Sequence, residues 1–172
     1  MIDRDFAKLH PTVRFAVRTL LTRCDAKGLH FAMFEGFRSR ERQAALYAQG
    51  RTVPGKIVTY ARPGESYHQY GLAADIVGFV DGKWTWNLPG ADWDVMHQIA
   101  SELGLETLSF ETPHVQLKGL KILDLMAGRI PPGDESWRNA LSVNVAPTAP
   151  KVLSADDLNQ RELDRISRGR TT

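Results

Sequence analysis

Three side chains in this chain of 172 residues have the types and the spacing to hold a metal ion: His68 and Asp75 in Ser66-Tyr67-His68-Gln69-Tyr70-Gly71-Leu72-Ala73-Ala74-Asp75, and His114 in Glu111-Thr112-Pro113-His114. Two imidazoles and one carboxylate fill three positions of a zinc ion and leave the fourth open. That is the pattern of catalytic zinc, whereas structural zinc is closed by four protein ligands. Glu111, shortly before His114, is a carboxylate placed to act as a general base. The combination points to a metal-dependent hydrolase.

The elements that must position these residues can be read from periodicity. Val13, Ala16, Val17, Leu20, Leu21 and Cys24 follow helical spacing behind Pro11, with Gly28 as a stop. His30 to Phe34 reads as a strand, and Ser39 caps a helix running to Gly50. Residues 51 to 67 are rich in Gly, Pro and Thr and read as an extended loop leading into His68. Asp75 to Val80 is a strand, Asp81-Gly82 a hairpin turn and Lys83 to Trp86 the return strand. Asp92 is expected to cap a helix bearing Trp93, Met96, Ala100 and Leu103, ended by Gly104. Two short strands, near Leu105 to Phe110 and His114 to Leu117, precede a last helix over Leu120 to Ala127. Pro113 denies a helix, so Glu111 and His114 are expected to reach the metal from one irregular segment. Helices and hairpin strands mixed without regular alternation indicate an α+β fold.

Composition narrows the class. The length suits one domain with a short appendage, here a domain over residues 1–130, a Pro-rich linker region over 131–153 and a basic helical tail over 154–172. The one cysteine, Cys24, excludes an intramolecular disulfide and thiolate metal clusters; it reads as a small buried hydrophobe. A net charge of +2 is too small to argue for nucleic acid but is compatible with an anionic polymer as substrate. No apolar run approaches a membrane span, and Met1 to Phe6 lacks the apolar core of a signal peptide. The chain therefore reads as made and left in the cytosol, as a monomer, and a target outside would need another means of delivery.

With these residues in view, the chain resembles the M15 zinc peptidases, the family of D-Ala-D-Ala carboxypeptidases and dipeptidases and of phage L-alanyl-D-glutamate endopeptidases. The resemblance rests on Gly36-Phe37-Arg38-Ser39, on Arg42 to Thr52, on Ser66 to Asp75 and on Glu111 to His114, and covers roughly residues 8 to 120. The first three stretches resemble the endolysin-like branch. The resemblance implies a small α+β domain of the hedgehog/DD-peptidase type, with a short central antiparallel sheet flanked by helices and the metal in a cleft on the sheet. It implies one Zn2+ per chain held by His68, Asp75 and His114. It makes Glu111 the acid/base that takes a proton from the attacking water, and Arg38 the group that stabilises the developing oxyanion or anchors a substrate carboxylate. Ser66, Arg42 and Gln43 become candidate substrate-binding residues. Taken alone, His68 and Asp75 would read as a surface histidine and a turn aspartate, and Arg38 as a surface arginine paired with Glu35 or Glu41. The third ligand, the base and the Arg38 motif together reverse that reading.

One departure stands out. Endolysin-like members often carry a Trp-Gly-Gly-type loop before the catalytic carboxylate, whereas here Gly104-Leu105-Glu106 runs through Thr107-Leu108-Ser109-Phe110 straight to Glu111. The cleft wall is shortened, which bears on specificity more than on the metal. The implied substrate is a peptidoglycan stem peptide cut at L-alanyl-D-glutamate by a phage or prophage endolysin. The alternatives are a D-Ala-D-Ala carboxypeptidase or dipeptidase on the same site, and a phage tail component with zinc used only for folding. His97 and His10 are expected at the core edge and at a helix entry. Trp84, Trp86 and Trp93 are expected in core and hairpin packing, with Trp84 or Trp86 as a potential cleft wall.

Overall fold

The structure, a computed structural model, describes residues 1–142 and residue 144. Helix α1 spans Pro11–Asp25, strand β1 Phe31–Glu35, helix α2 Arg40–Ala48, strand β2 Ala73–Val80, strand β3 Lys83–Thr85 and helix α3 Gly90–Glu102. Strands β4, Leu105–Leu108, and β5, Glu111–Leu117, follow, then helices α4, Ile122–Met126, and α5, Glu135–Ser142. The antiparallel sheet has the order β1-β2-β5-β4, and β3 pairs with the far end of β2. The α+β expectation is borne out.

Alternation along the central strands divides the sheet into two faces. Ala74 and Ile76 of β2 and Val115 of β5 point into the main core, with Val13, Val17 and Leu20 of α1 and Trp93, Met96 and Ile99 of α3. Asp75, His114 and Gln116 alternate with them and fall on the opposite face. Cys24 lies in the same core, and burial pushes its thiol up to about 11. It is therefore an inert hydrophobe at neutral pH.

Local chemistry explains the helix starts. Pro11 occupies the first turn of α1, and the His10 side chain accepts from the Thr12 N–H. Ser39 accepts from the Arg42 N–H at the start of α2. Helix α3 begins earlier than expected: Pro89 is its cap residue, and Asp92 lies inside the first turn. A carboxylate there still favours the positive end of the helix dipole.

The segment read as linker is in part folded. Helix α5 lies within 131–153, and its Trp137 is fully buried with Phe37, Ala140 and Leu141. The indole donates to the Tyr70 carbonyl at 2.7 Å, and the Trp137 N–H is capped by Asp134 at 3.0 Å. A Cβ on Gly71 would lie 2.5 Å from the Lys8 carbonyl oxygen and 3.0 Å from the indole, and Gly71 has a φ of +63°. Only glycine suits both that conformation and that approach. Composition suggested a linker because Pro131-Pro132-Gly133 precedes the helix, while one large aromatic ring decides that the segment docks. The expected tail over 154–172, with Leu158, Leu163 and Ile166, lies outside the described residues.

Replacing this ring tests the docking. Trp137→Ala should lower stability by about 3–5 kcal/mol, the usual range for a buried aromatic truncated to alanine. Denaturant unfolding followed by far-UV circular dichroism checks it, and a loss below about 1 kcal/mol would show that α5 does not share the fold's cooperativity.

Candidate metal centre

The sheet register places the ligands. Asp75 on β2 lies directly opposite His114 on β5, and on its other side opposite Glu35 on β1. One cross-strand row therefore carries a carboxylate, a carboxylate and an imidazole on the face away from the core. His68 reaches this row from a 3-10 turn, Tyr67–Tyr70, which Gly71 ends in the left-handed conformation. The backbone N–H of Arg38 donates to the His68 carbonyl at 3.0 Å and ties that turn to the segment after β1.

Three atoms converge. His68 Nε2 is 3.2 Å from Asp75 Oδ1 and 3.2 Å from His114 Nδ1, and His114 Nδ1 is 3.3 Å from Asp75 Oδ1. Ligand atoms on a tetrahedral zinc with bonds of roughly 2.0–2.1 Å stand about 3.3 Å apart, so the triangle has the size the ion requires. The outer nitrogen of each ring has its own acceptor. His68 Nδ1 donates to the Gly36 carbonyl at 2.7 Å, and His114 Nε2 donates to Gln116 Oε1 at 2.9 Å. In the neutral imidazoles the inward nitrogens are then bare lone pairs facing a carboxylate oxygen. Three donor atoms at this spacing need a proton or a metal cation between them, and this donor set fits zinc.

The carboxylate is held from behind as well. Asp75 Oδ2 accepts from Arg38 Nη2 at 3.1 Å, which leaves Oδ1 for the metal. Arg38 in turn gives Nε and Nη2 to Glu35 Oε2 at 2.9 and 2.6 Å, and Nη1 to Gln43 Oε1 at 3.1 Å. Both Glu35 and Arg38 are buried. The alternative pairing with Glu35 is thus real, but it lies in the interior and aims the arginine at the metal site. Four of the five guanidinium N–H groups have partners in these contacts, and one hydrogen on Nη1 remains. Burial alone would push the Asp75 carboxyl up; the charges and hydrogen bonds of His68 and His114 outweigh it and hold Asp75 far below the usual carboxylate range. Burial likewise works against the His114 imidazolium, but the hydrogen bond and charge of Asp75 raise its pKa above the ordinary value.

Glu111 comes onto the metal face through a bulge. Thr107 of β4 pairs with Val115, whereas the next residue, Leu108, pairs with Glu111. The additional β5 residues include Pro113, which has no N–H to offer a ladder. Glu111 and His114 therefore lie on one bulged strand, and the expected irregular segment is corrected to that extent. His97, half-buried on α3, donates to the Thr112 carbonyl at 2.8 Å and braces the bulge.

Two adjoining cavities of about 340 and 470 Å³ share Arg38, Val58, Thr59 and Glu111 as walls. Asp75, Arg42 and the exposed Trp86 line the smaller one, and His68, His114 and Ser66 the larger. Trp86 is thus a cleft wall, while Trp84 packs in the hairpin against Phe34 and Phe79. Arg42 keeps Nε on Glu35 Oε1 at 3.3 Å and presents the rest of its guanidinium to the cleft. Gln43 is placed differently from the expectation. It is fully buried, and its Nε2 donates to the Ala61 carbonyl at 2.7 Å. It fixes Arg38 and the loop above the cleft and is enclosed away from substrate. Gln116 was absent from the sequence reading, which considered Glu35 only as a surface partner of Arg38. The alternation of β5 puts Gln116 on the His114 face, and only the β1–β2 register brings Glu35 beside Asp75.

Residues 7–116 match the family model VanY, D-alanyl-D-alanine carboxypeptidase. The chain belongs to this family. It is also 43% identical over 106 residues to the peptidoglycan L-alanyl-D-glutamate endopeptidase CwlK of Bacillus subtilis, an alignment covering 57% of this chain and 64% of that relative. The chain thus matches less than two thirds of the relative's length. Among solved structures, the L,D-carboxypeptidase DacB of Streptococcus pneumoniae superposes with a TM-score of 0.50 at 26% identity, covering 71% of this chain and 73% of that one. The LdcB LD-carboxypeptidase superposes with a TM-score of 0.54 at 22% identity, over 75% and 69% of the two chains, and shares the fold. The matched family region ends at Gln116 and so contains His68, Asp75, Glu111 and His114 but not α5.

The donor set makes metal binding proton-linked. Protein prepared without chelator should contain about one zinc per chain by elemental analysis, and His114→Ala should lose it. Zinc affinity should fall as pH is lowered, because the metal must displace the proton that His114 takes. The raised proton affinity of His114 places the onset above the ordinary imidazole value of about 6.5. Chelator competition across pH 5.5 to 8 measures it, and an affinity independent of pH would refute this ligand set.

Proposed function

We propose that this protein is a zinc-dependent peptidase that cuts the peptidoglycan stem peptide, at the L-alanyl-D-glutamate bond. The observation that carries the hydrolytic reading is the triangle of bare donors, His68 Nε2, Asp75 Oδ1 and His114 Nδ1, beside a cleft that Glu111 lines. A site used only for folding needs no cleft and no base. Zinc bound there supplies Lewis acidity that activates water and polarises a carbonyl at neutral pH. Glu111 stands exposed at the junction of the two cavities, where it can take a proton from the attacking water and deliver it to the leaving amine. Arg38, with one Nη1 hydrogen remaining, is placed to donate to the developing oxyanion while its other bonds keep it from moving. Arg42 suits a stem-peptide carboxylate in the smaller cavity, and Ser66 a backbone group of the substrate in the larger.

Support for the bond comes from the 43% identity to a relative named as an L-alanyl-D-glutamate endopeptidase. The cleft agrees, since it has room on either side of the metal and an endopeptidase must hold chain on both sides of the scissile bond. The family description favours the second reading, removal of a terminal D-alanine. Release during phage lysis, or carriage on a virion, rests on the resemblance of Gly36 to Ser39 and Arg42 to Thr52 to the endolysin-like branch. Among the described residues no helix is long and apolar enough to cross a membrane.

Digestion of purified peptidoglycan separates the two readings. New N-terminal D-glutamate is the expected product, and released D-alanine without it would replace the endopeptidase by the carboxypeptidase. Glu111→Ala should retain zinc and fold while losing roughly 10²–10⁴-fold in rate. Loss of zinc from that variant would make Glu111 a ligand. Removing residues 146–172 should leave cleavage of a small soluble stem peptide nearly unchanged, because every proposed active residue lies before residue 115. Any contribution of Arg165, Arg168 and Arg170 should appear only on intact wall at low salt.

A further inference from the structure

We infer that Gln116 and Glu106 form a two-residue relay that sets the tautomer and orientation of His114, and that both are positioning residues for the metal. The inference rests on the zinc reading and extends it to two residues that are not themselves candidate ligands. Glu106 on β4 lies directly opposite Gln116 on β5 in the sheet register. Gln116 Nε2 donates to Glu106 Oε1 at 2.6 Å, and Gln116 Oε1 stands 2.9 Å from His114 Nε2. Gln116 is buried and Glu106 is half-buried, so the relay runs from the interior towards solvent.

The order of these groups fixes the hydrogens. A carboxylate only accepts, so the amide nitrogen of Gln116 must face Glu106. The amide oxygen then faces His114 and can only accept, so His114 Nε2 must carry the proton. The lone pair is left on Nδ1, the atom that meets His68 Nε2 and Asp75 Oδ1. If the amide turned over, its NH2 group would meet His114 Nε2 and would favour a proton on Nδ1, where it blocks the metal. Glu106 prevents that reversal from two side chains away. The corresponding task for His68 is done by a backbone carbonyl, that of Gly36, which cannot turn over. His114 is thus the one ligand ring whose tautomer depends on replaceable side chains.

Two variants test the relay. Gln116→Met keeps the side-chain volume but removes the acceptor, and should weaken zinc binding roughly 10–100-fold, the usual cost of losing a ligand's outer partner. Glu106→Gln keeps the shape but replaces a pure acceptor by a group that can also donate, which permits the Gln116 amide to turn over. It should weaken zinc binding by a smaller factor. In the metal-free protein, nitrogen-15 NMR should show His114 protonated on Nε2 in the wild type and a measurable Nδ1-protonated fraction in Glu106→Gln. A generally loosened fold would not produce that switch. Zinc affinities come from competition with a chromogenic chelator, and thermal unfolding of the metal-free proteins monitors folding. If Gln116→Met does not fold, Glu106→Gln decides alone. Wild-type affinity together with an unchanged tautomer in Glu106→Gln overturns the relay; a wild-type protein that binds no zinc overturns the metal reading with it.

Discussion

Three electron-rich atoms pointed at one another within 3.3 Å are the constraint on which the rest of this structure turns. Without a proton or a metal ion between them they repel, and the fold must hold them together against that repulsion. It does so by giving each ligand a partner on its far side: the Gly36 carbonyl for His68, Gln116 for His114 and the Arg38 guanidinium for Asp75. The partners are anchored in turn, Arg38 by Glu35 and Gln43, and Gln116 by Glu106. Such pre-arrangement means that a bound metal does not have to order flexible side chains, and the entropy of ordering does not subtract from its affinity.

The buried Glu35–Arg38 pair shows why this scaffold is interdependent. Removing Glu35 would leave the buried Arg38 with Asp75 as its one opposite charge, and removing Arg38 would leave the buried Glu35 with only the longer contact to Arg42, so either loss is destabilising. The same pair aligns Asp75, so its loss would disturb ligand geometry as well as stability. The arginine proposed to meet an oxyanion is therefore also part of the support of the candidate metal site, and its substitution would mix both effects. Glu111 is different, since it reaches the cleft from a bulge in β5, exposed and away from the buried network. That position suits the proposed role, since a base that exchanges protons with water gains from standing outside a rigid cluster.

Helix α5 extends the support beyond the family-matched region. Trp137 packs against Gly71, which ends the turn bearing His68, and its indole bonds to the Tyr70 carbonyl. The Asn144 side chain donates to the carbonyls of Arg38 and Gln69. The two segments that carry His68 and Arg38 are thus closed from behind by a part of the chain that has no residue in the cleft.

Much of the candidate site was legible in the chain. The types and spacing of His68, Asp75, Glu111 and His114 limited the chemistry, because few other combinations leave zinc an open position beside a base. The stripes of α1 and α3 and the alternation of β2 marked the core, since 3.6- and 2-residue periods decide which side chains can share a face. The helical character of residues 135–142 was obscured by the prolines and glycine before them, because local composition carries no information about where a tryptophan will find a partner. The pairings that make the site work were decided only by the tertiary structure. Glu35 meets Asp75, and Glu106 meets Gln116, through strand register, and register is set by bulges and by the packing of the whole sheet. Gln43 could be recognised as a member of the constellation, but its place behind Arg38, closed off from the cleft, depends on the loop through Ala61 folding over it. A sequence names the groups available for chemistry; which of them face solvent, metal or one another is fixed by contacts between residues distant along the chain.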